Sequence, residues 1–347
     1  RDVIGNLFYN GVKKMKKVKA NQQIMSPGYG GVSTEFNALK KSQLNAEFEF
    51  VPLILEKPHR GINLHDILFY YHRIKEEKPD IIQIRGAAVD GLNAEIAAKI
   101  AGNSKILVCV HGMYSDFVYY NLLKKLIARF IVEPLCFKLA DGISCVYREC
   151  SKRNNFKNYK NKMLPFVYNR IPTYDSVNYN ETRKAVRQRY GIPKNATLGI
   201  YCGRVTKEKG LNYLLEALIS LSQDWDNNQH IIIVGDGDYM YDFKNELSDN
   251  TVLKKMIHFT GVQKDVSSIL AASDYFLMPS LHENLSIALL EAVAMKLPCI
   301  ATNVGGNTEI VNSKIGIIIE KKNINQLANA ILMMWSKETR DYFVKNL

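Results

Sequence analysis

Two glutamates eight positions apart, Glu283 and Glu291, have the spacing in this 347-residue chain that points most directly to chemistry. Glu291 stands in an apolar run, where burying an unpartnered carboxylate is costly, so we expect something to hydrogen-bond it. Eight helical positions span roughly 12 Å. That separation is close to the reach of an extended nucleoside-diphosphate-sugar from its ribose to its sugar ring.

The segment 279–298 predicts a strand end, a loop and a helix. Ser280 can cap the helix, residues 284–296 contain no helix breaker, and Pro298 closes the segment. Apolar residues occupy almost all sides of the predicted helix, so we expect it to be mostly buried.

The free N–H groups at the start of this helix are a natural seat for phosphate. We therefore hypothesise that Glu283 accepts hydrogen bonds from sugar hydroxyls, that residues 284–287 hold phosphate, and that Glu291 accepts from ribose hydroxyls. The predicted phosphate loop contains Asn284, Leu285 and Ser286. The alternative is a core helix whose single buried acid meets a local Arg or Lys.

A second candidate loop, 203–210, is bounded by glycines and follows a predicted strand. It carries Arg204 and Lys209, two cations that could neutralise a diphosphate at the carboxyl end of that strand. The alternative is a charged loop that is simply solvated.

The first half contributes two weaker candidates. Gly30 and Gly31 lie between a predicted strand at 22–26 and a predicted helix at 32–44, a pattern typical of a phosphate cradle but matching neither a P-loop nor a dinucleotide fingerprint. His111 ends another predicted strand and could hydrogen-bond a sugar or phosphate oxygen. The alternatives are an ordinary tight turn and a local backbone hydrogen bond.

Short apolar runs alternate with helical segments along both halves, which is typical of parallel sheets with crossover helices. The predicted strands are 22–26, 79–86, 105–112, 142–146, 162–167, 198–202, 230–238, 256–262, 274–278 and 299–306. The polar stretch 169–175 is typical of a linker. We therefore predict two α/β domains, 1–172 and 173–347, each with a doubly wound parallel sheet whose ligands lie at the carboxyl ends of the strands.

The net charge of +12 is concentrated in the first half. Residues 1–19 carry a net charge of +5 and residues 115–162 a net charge of +6. Within the second of these stretches, 119–137 interleaves apolar residues with Lys and Arg, a pattern typical of a helix on an anionic membrane surface. The alternative is a core helix with a solvated face. No basic groove with interleaved aromatics is evident, so we expect no nucleic-acid partner.

The sequence also predicts a location. The longest apolar stretch, 122–139, is interrupted by charges, so we predict no membrane span, and no apolar secretory region follows Arg1, which gives no sign of export. The six cysteines form no metal-binding spacing and lie mostly in apolar runs. We expect buried thiols in a reducing cytosol, with the protein peripheral on the inner face of the membrane.

Four segments in this order resemble the retaining glycosyltransferases of family 4, which have the GT-B fold. They are GRVTKEKG at 203–210, IIIVGDGD at 231–238, ENLSIALLE at 283–291 and TNVGGNTEIV at 302–311. The resemblance covers nearly all of the second half. It implies two Rossmann-like domains facing a central cleft, with the nucleotide sugar held mainly by the second domain.

The resemblance also implies a role for each candidate residue. Arg204 and Lys209 match the diphosphate-binding pair, Glu291 the ribose ligand, Glu283 the acid at the donor sugar, Gly30 and Gly31 the loop by the donor phosphate, and His111 the first-domain residue near the donor sugar. His111, Glu283, Arg204 and Lys209 are thus the predicted catalytic group. The resemblance further implies that the enzyme is metal-independent, as the family usually is, and that it retains configuration by front-side displacement without a glutamate nucleophile.

One departure concerns the donor loop. Many family members have Glu-Gly-Phe-Gly where this chain has Glu283, Asn284, Leu285 and Ser286. Ser286 still offers an N–H group and a hydroxyl, but sugar contacts inferred from the glycine form do not transfer directly.

These features predict a cytosolic, membrane-peripheral enzyme that moves a sugar from a nucleotide-diphosphate-sugar to a glycan acceptor. We expect that acceptor to be a lipid-linked glycan of cell-surface polysaccharide or glycoconjugate synthesis. One alternative is a GT-B sugar-nucleotide epimerase, which would consume the donor without an acceptor. The other is a non-catalytic protein that binds membranes or nucleic acid through its basic half.

Overall fold

The computed structural model describes residues 17–24, 36–37, 39–116, 120–169, 174, 178–225 and 228–347. The described chain forms two parallel β-sheets, each flanked by helices, and we refer to the parts that carry them as the first and second domains. The predicted α/β class with two Rossmann-like sheets is confirmed. The predicted boundary after residue 172 lies outside the described residues.

The first domain has a five-stranded sheet in the order β2-β1-β3-β4-β5. Its strands are β1 (Val18–Ile24), β2 (Phe48–Ile54), β3 (Ile81–Arg85), β4 (Lys105–Val110) and β5 (Gly142–Cys145). Its helices are α1 (Leu64–Glu77), α2 (Val89–Ala101), α3 (Leu122–Ile127), a π-helical turn (Ala128–Val132), α4 (Glu133–Leu139) and α5 (Arg148–Ser151), with 3₁₀ turns at Gln43–Ala46, Tyr114–Asp116 and Asn154–Lys162.

The second domain has a six-stranded sheet in the order β11-β10-β9-β6-β7-β8. Its strands are β6 (Thr197–Cys202), β7 (Gln229–Val234), β8 (Ile257–Gly261), β9 (Tyr275–Met278), β10 (Cys299–Thr302) and β11 (Gly316–Ile319). Its helices are α6 (Tyr179–Arg189), α7 (Leu211–Ser220), α8 (Met240–Ser248), α9 (Leu253–Met256), α10 (Ser267–Ala272), α11 (Ile287–Ala294), α12 (Asn307–Ile310), α13 (Ile324–Trp335) and α14 (Lys337–Val344), with a 3₁₀ turn at Lys207–Lys209.

Strand β1 is polar and yet buried. Gln22 donates a hydrogen bond to Gln83 (2.9 Å) and accepts one from Arg85 (2.8 Å), and Gln23 is fully buried beside these residues. Side-chain hydrogen bonds compensate for the burial of these amides. The strand begins four residues before the predicted 22–26, and the polar residues lie in its interior.

The predicted strand at 162–167 is wrong. The 3₁₀ turn Asn154–Lys162 ends where this strand was expected to begin. After it the chain makes an isolated bridge between Met163 and Ile143 and one further backbone hydrogen bond, from Val167 to Cys145 (2.8 Å), but the described residues there form no continuous strand. Pro165 lies two residues after Met163 and has no N–H group to continue a ladder.

The predicted burial of the helix after Glu283 is confirmed. No residue of α11 is exposed, and Leu289, Leu290 and Ala292 are buried. Leu290 and the preceding Leu285 pack into the apolar core of the first domain. This helix therefore joins the two domains as well as belonging to one of them.

Two other expectations concern the cysteine thiols and membrane-spanning helices. All six cysteines are free thiols, and five of them are buried. Among the described residues, no helix combines the length and the apolar character that crossing a bilayer needs.

Candidate functional site

The candidate site lies where the strand order of the second sheet reverses. The chain runs outward in one direction from β6 and in the other from β9, and these two strands are neighbours. Ligand sites in open parallel sheets lie outside the carboxyl ends of the strands at such a point. The loop 203–210 follows β6 and the loop 279–286 follows β9, so the topology brings both predicted loops together.

The backbones of these two loops are in contact at Gly210. This residue has φ +73°, and a Cβ on it would lie 1.9 Å from the carbonyl oxygen of Pro279. A glycine is needed both for the backbone conformation and for the close approach. The adjacent Lys209 is thereby held against the glutamate-bearing loop.

Lys209 and Glu283 form an ion pair in this position. Lys209 Nζ lies 2.7 Å from Glu283 Oε1, and the side chains are 20% and 10% exposed. Ser280 is fully buried, and its hydroxyl donates to the same Glu283 oxygen at 2.7 Å. Two donors therefore stabilise the charged form of this carboxylate in a largely desolvated place.

The predicted capping role of Ser280 is wrong. The N-cap of α11 is Ser286, whose hydroxyl accepts from the N–H group of Leu289 (3.3 Å). The helix starts at Ile287, too far along the chain for Ser280 to cap it. The hydroxyl of Ser280 is instead available to hold Glu283.

Arg204 projects toward solvent from the loop after β6. Its side chain is 67% exposed, and its guanidinium lies 3.7 Å from the mostly buried carboxylate of Glu208. Tyr201 fixes the local backbone by donating to the carbonyl oxygen of Arg204 (2.6 Å). The loop is therefore anchored while the guanidinium is free to reorient in solvent, since an ion pair at this exposure contributes little.

Glu291 lies on α11 and has a different environment from Glu283. Burial raises its pKa to about 7, and a hydrogen bond from the hydroxyl of Tyr174 opposes that rise. The alternative in which an Arg or Lys meets this acid is not what the described residues show, because the hydrogen-bond partner is Tyr174. A carboxylate with one phenolic donor retains capacity for further donors.

The first domain reaches the site at the end of β4. A Cβ on Gly112 would lie 2.5 Å from Nδ2 of Asn284, so this glycine allows the amide to approach the first domain. The neighbouring His111 donates its backbone N–H to the carbonyl oxygen of Cys109 (3.1 Å). His111 is thus placed beside the Glu283 loop, whereas Gly30 and Gly31 lie outside the described residues.

The loop that carries Glu283 is also locked by backbone contacts from the chain after β10. Gly305 has φ +54°, and a Cβ on it would lie 2.0 Å from the carbonyl oxygen of Glu283. The N–H group of Gly306 donates to the carbonyl oxygen of Asn284 (2.5 Å). The amide of Asn169, from the end of the first domain, donates to the carbonyl oxygen of Leu285 (3.1 Å). The loop is therefore held from both domains.

Sequence reasoning missed His282. Its Nδ1 lies 3.8 Å from the carboxylate of Glu208, and its side chain is 18% exposed. Burial lowers the pKa of His282, while the charges of Asp116, Glu208 and Glu283 oppose that change. Asp116 belongs to the first domain and pairs with Arg153. In the sequence, the position of His282 directly before Glu283 was the only signal of its role.

The contacts of Gly305 lead to a testable prediction. Gly305→Ala should displace the Glu283 backbone as well as strain the positive φ, whereas Gly191→Ala, at φ +66° with no atom within 4 Å, should only add strain. We expect a loss of stability of about 1 kcal/mol in Gly191→Ala from the backbone conformation alone. Gly305→Ala should lose more stability and also lose affinity for the ligand of this loop.

Urea unfolding measures the loss of stability, and calorimetric titration with nucleotide sugars measures the loss of ligand affinity. Equal losses of stability in the two variants, with ligand affinity unchanged in both, would contradict the locking role of Gly305.

Comparisons with known proteins show what the chain is similar to. A family profile described as "Glycosyl transferases group 1" matches residues 182–347, which contain both site loops. The chain is 26% identical over 303 residues to the UDP-Gal:alpha-D-GlcNAc-diphosphoundecaprenol alpha-1,3-galactosyltransferase of Escherichia coli, and the match covers 86% of this chain and 77% of that protein.

Solved structures of two other proteins share the fold. A glycosyltransferase from Rickettsia africae superposes with a TM-score of 0.69 at 22% identity, covering 96% of this chain and 92% of that one. Anabaena HepE in complex with UDP and glucose superposes with a TM-score of 0.71 at 18% identity, covering 94% and 92%. Residues 182–347 therefore match the group 1 glycosyltransferases, and the described chain has the GT-B fold of these solved structures.

Proposed function

We propose that this protein is a glycosyltransferase that moves a sugar, with retention of configuration and without a metal ion, from a nucleoside-diphosphate-sugar to a lipid-linked glycan. The observation that carries the donor part is the pairing of Lys209 with Glu283 at the point where the strand order reverses, with Glu291 eight positions further on, in helix α11. A carboxylate, an ammonium and a second carboxylate (Glu283, Lys209 and Glu291) match the three parts of the proposed donor in turn: sugar hydroxyls, diphosphate and ribose diol.

The diphosphate would lie between the two site loops. Lys209 has three N–H donors and can keep Glu283 while it donates to phosphate. Arg204 can turn its exposed guanidinium to the same phosphates, and the N–H groups at the start of α11 add positive potential. These groups would stabilise the negative charge that develops on the departing diphosphate, which is the step a metal would otherwise assist.

Glu283 would position the sugar without acting as a nucleophile. Its Oε1 already accepts from Lys209 and Ser280, so both donors occupy the oxygen that would otherwise attack. The carboxylate can still accept from a sugar hydroxyl through its other oxygen. Retention would then arise by front-side displacement, in which the departing phosphate takes the acceptor's proton. His111 would face the sugar from the first domain.

The nature of the acceptor rests on different observations. Helix α3, the π-helical turn and α4 form an apolar ridge (122–135) on the first domain. Leu122, Leu123 and Phe130 of this ridge are 72%, 66% and 67% exposed. Lys124 and Lys125 lie in its first helix. Exposed apolar side chains next to lysines are typical of a surface that enters the headgroup region of an anionic membrane.

A relative supports the same acceptor class. The Escherichia coli protein described above is named as acting on a diphosphoundecaprenol-linked sugar. An acceptor of that kind is embedded in a bilayer, and an enzyme that lies on the membrane through the apolar ridge could reach its glycan. We place the protein in the cytoplasm, peripheral to the membrane, on this basis.

A donor panel tests the proposed chemistry. UDP-, GDP- and ADP-sugars should be titrated calorimetrically and then incubated with and without a lipid-linked glycan. We expect nucleotide sugars of one base to bind and turnover to require the acceptor. Lys209→Ala should abolish turnover, because the diphosphate loses its nearest ammonium. Glu338→Gln, an exposed change in α14, is the matched control and should keep full activity.

Two results would count against the proposal. Turnover of the donor alone would favour the epimerase reaction. Salt-sensitive nucleic-acid binding without any nucleotide-sugar affinity would favour a non-catalytic basic protein.

The raised pKa of Glu291, about 7, predicts that donor binding is linked to proton release. Ribose hydroxyls that donate to Glu291 stabilise its charged form, so binding should expel roughly half a proton at pH 7 and become about tenfold weaker on going from pH 8 to pH 6. The diphosphate of a nucleotide sugar does not titrate in this range. Calorimetry in buffers of different ionisation enthalpy measures the released proton.

Glu291→Gln should bind the donor more weakly and with no proton release between pH 6 and pH 8. Binding by the unaltered protein that is independent of pH over this range would contradict the ribose role of Glu291.

The apolar ridge predicts membrane binding by two separable contributions. Leu122→Ser with Phe130→Ser removes two exposed apolar groups and should weaken binding to vesicles of mixed phosphatidylglycerol and phosphatidylcholine by at least tenfold, roughly the worth of one buried side chain. Lys124→Gln with Lys125→Gln should lose about 2 kcal/mol on the same vesicles and little on neutral ones.

Vesicle co-sedimentation measures both effects. Leu64→Ser is the control, because Leu64 is 70% exposed but lies on α1 away from the ridge. Equal losses in the control and in the ridge variants would show that the ridge is not the membrane surface.

A further inference from the structure

A single carboxylate of the second domain makes three hydrogen bonds to the first. Glu309 lies on α12, and its Oε2 accepts from the N–H group of Arg148 (2.9 Å) while its Oε1 accepts from the N–H group of Glu149 (2.9 Å). The hydroxyl of Tyr168 donates to Oε2 at 2.9 Å. All three donors belong to the part of the chain that precedes the second domain.

The two backbone donors are the N–H groups of the first two residues of helix α5. Their position at the helix start explains why a carboxylate binds to them. The first N–H groups of a helix have no partner within the helix. Within the described part of α5, the N-cap residue Tyr147 makes no capping hydrogen bond with its side chain. Glu309, in the second domain, instead accepts the hydrogen bonds of these N–H groups. Its charge is favoured at a helix N-terminus, and the donated hydrogen bonds lower the pKa of Glu309.

Helix α12 also connects directly to the donor loop. Gly306, at its N-cap, donates its N–H to the carbonyl oxygen of Asn284. A Cβ on the same glycine would lie 3.1 Å from Cβ of Tyr147, next to α5. A short path of contacts therefore runs from α5 through Glu309 and Gly306 to the loop that carries Glu283.

We propose that Glu309 is a positioning residue for the transfer reaction. By capping α5 across the cleft, it fixes the arrangement in which His111 and Gly112 of the first domain face Asn284 and Glu283. Glu309 has no direct contact with the donor in this account. The inference rests on the proposed function for its kinetic part only, because the cap itself can be measured without turnover.

The competing explanation is that Glu309 only stabilises the fold or belongs to the donor site. Loss of the cap should leave nucleotide affinity nearly unchanged, since Arg204, Lys209 and Glu291 all belong to the second domain. It should lower kcat, because the first domain no longer meets the bound sugar in a fixed geometry. Misplacement by about 1 Å can cost on the order of 100-fold in rate.

The experiment compares Glu309→Ala, Glu309→Asp and Tyr168→Phe with the control Glu338→Gln. Hydrogen exchange of the peptide that contains Arg148 and Glu149 reports on the cap, calorimetry with a nucleoside diphosphate reports on the second domain, and transfer assays give kcat and KM. We expect faster exchange and a kcat at least tenfold lower in Glu309→Ala, with nucleotide Kd within about twofold of the unaltered protein. Glu309→Asp should be intermediate.

Tyr168→Phe guards against a folding defect in the alanine variant. Tyr168 is 46% exposed, and removing its hydroxyl leaves the packing of the ring in place. It should shift exchange and kcat in the same direction as Glu309→Ala, by a few-fold. Unchanged exchange and kcat in Glu309→Ala, or in Tyr168→Phe where the alanine variant does not fold, would overturn the proposal.

A parallel loss of nucleotide affinity and kcat would also overturn it, because it would place Glu309 in the donor site. Failure of the proposed function gives a different pattern. The unaltered protein would then bind no nucleotide sugar, while exchange at α5 would still respond to Glu309→Ala.

Discussion

A carboxylate that leaves water must receive hydrogen bonds or lose its charge, and three glutamates around the cleft meet this constraint in different ways. Glu283 receives donors from Lys209 and Ser280. Glu309 receives two backbone N–H groups and a phenol. Among the described residues, Glu291 has the hydroxyl of Tyr174 as its one hydrogen-bond donor, and burial raises its pKa to about 7. The first two are satisfied by the protein, whereas Glu291 still has capacity for a ligand's donors.

The reversal of strand order places these acids in one region, and glycines let the loops approach closely enough. Gly210 brings the Lys209 loop against Pro279, and Gly305 brings the chain after β10 against Glu283. Both have positive φ and would bring a Cβ to within about 2 Å of a carbonyl oxygen. Backbone contacts, rather than flexible side chains, thus determine where Glu283 lies. A site that must hold a reacting group benefits from rigid support of this kind.

Local patterns in the sequence were enough to predict the fold class and most of the strands. Apolar runs alternating with helical segments predicted both sheets, and the Gly-bounded loop 203–210 together with the spacing of Glu283 and Glu291 marked the candidate site. The choice between Ser280 and Ser286 as the cap was not decidable from residue type, because serine suits both positions and the outcome depends on where the loop meets Lys209. The strand expected at 162–167 failed because Pro165 interrupts the backbone pairing.

Long-range contacts left no local signal. Glu309 meets the first residues of α5 about 160 positions earlier in the chain, and nothing in the sequence around either residue predicts the pairing. The same holds for Tyr174 and Glu291. The roles of His111, Arg204, Lys209, Glu283 and Glu291 toward the donor stay predictions, as do those of Gly30 and Gly31, which lie outside the described residues.

A crystal structure of the complex with a nucleoside diphosphate tests the central claim most directly. The account predicts phosphate oxygens within hydrogen-bond distance of Lys209 Nζ and both ribose hydroxyls on the carboxylate of Glu291. A diphosphate bound away from Lys209, or a ribose that leaves Glu291 with Tyr174 as its sole partner, would contradict it.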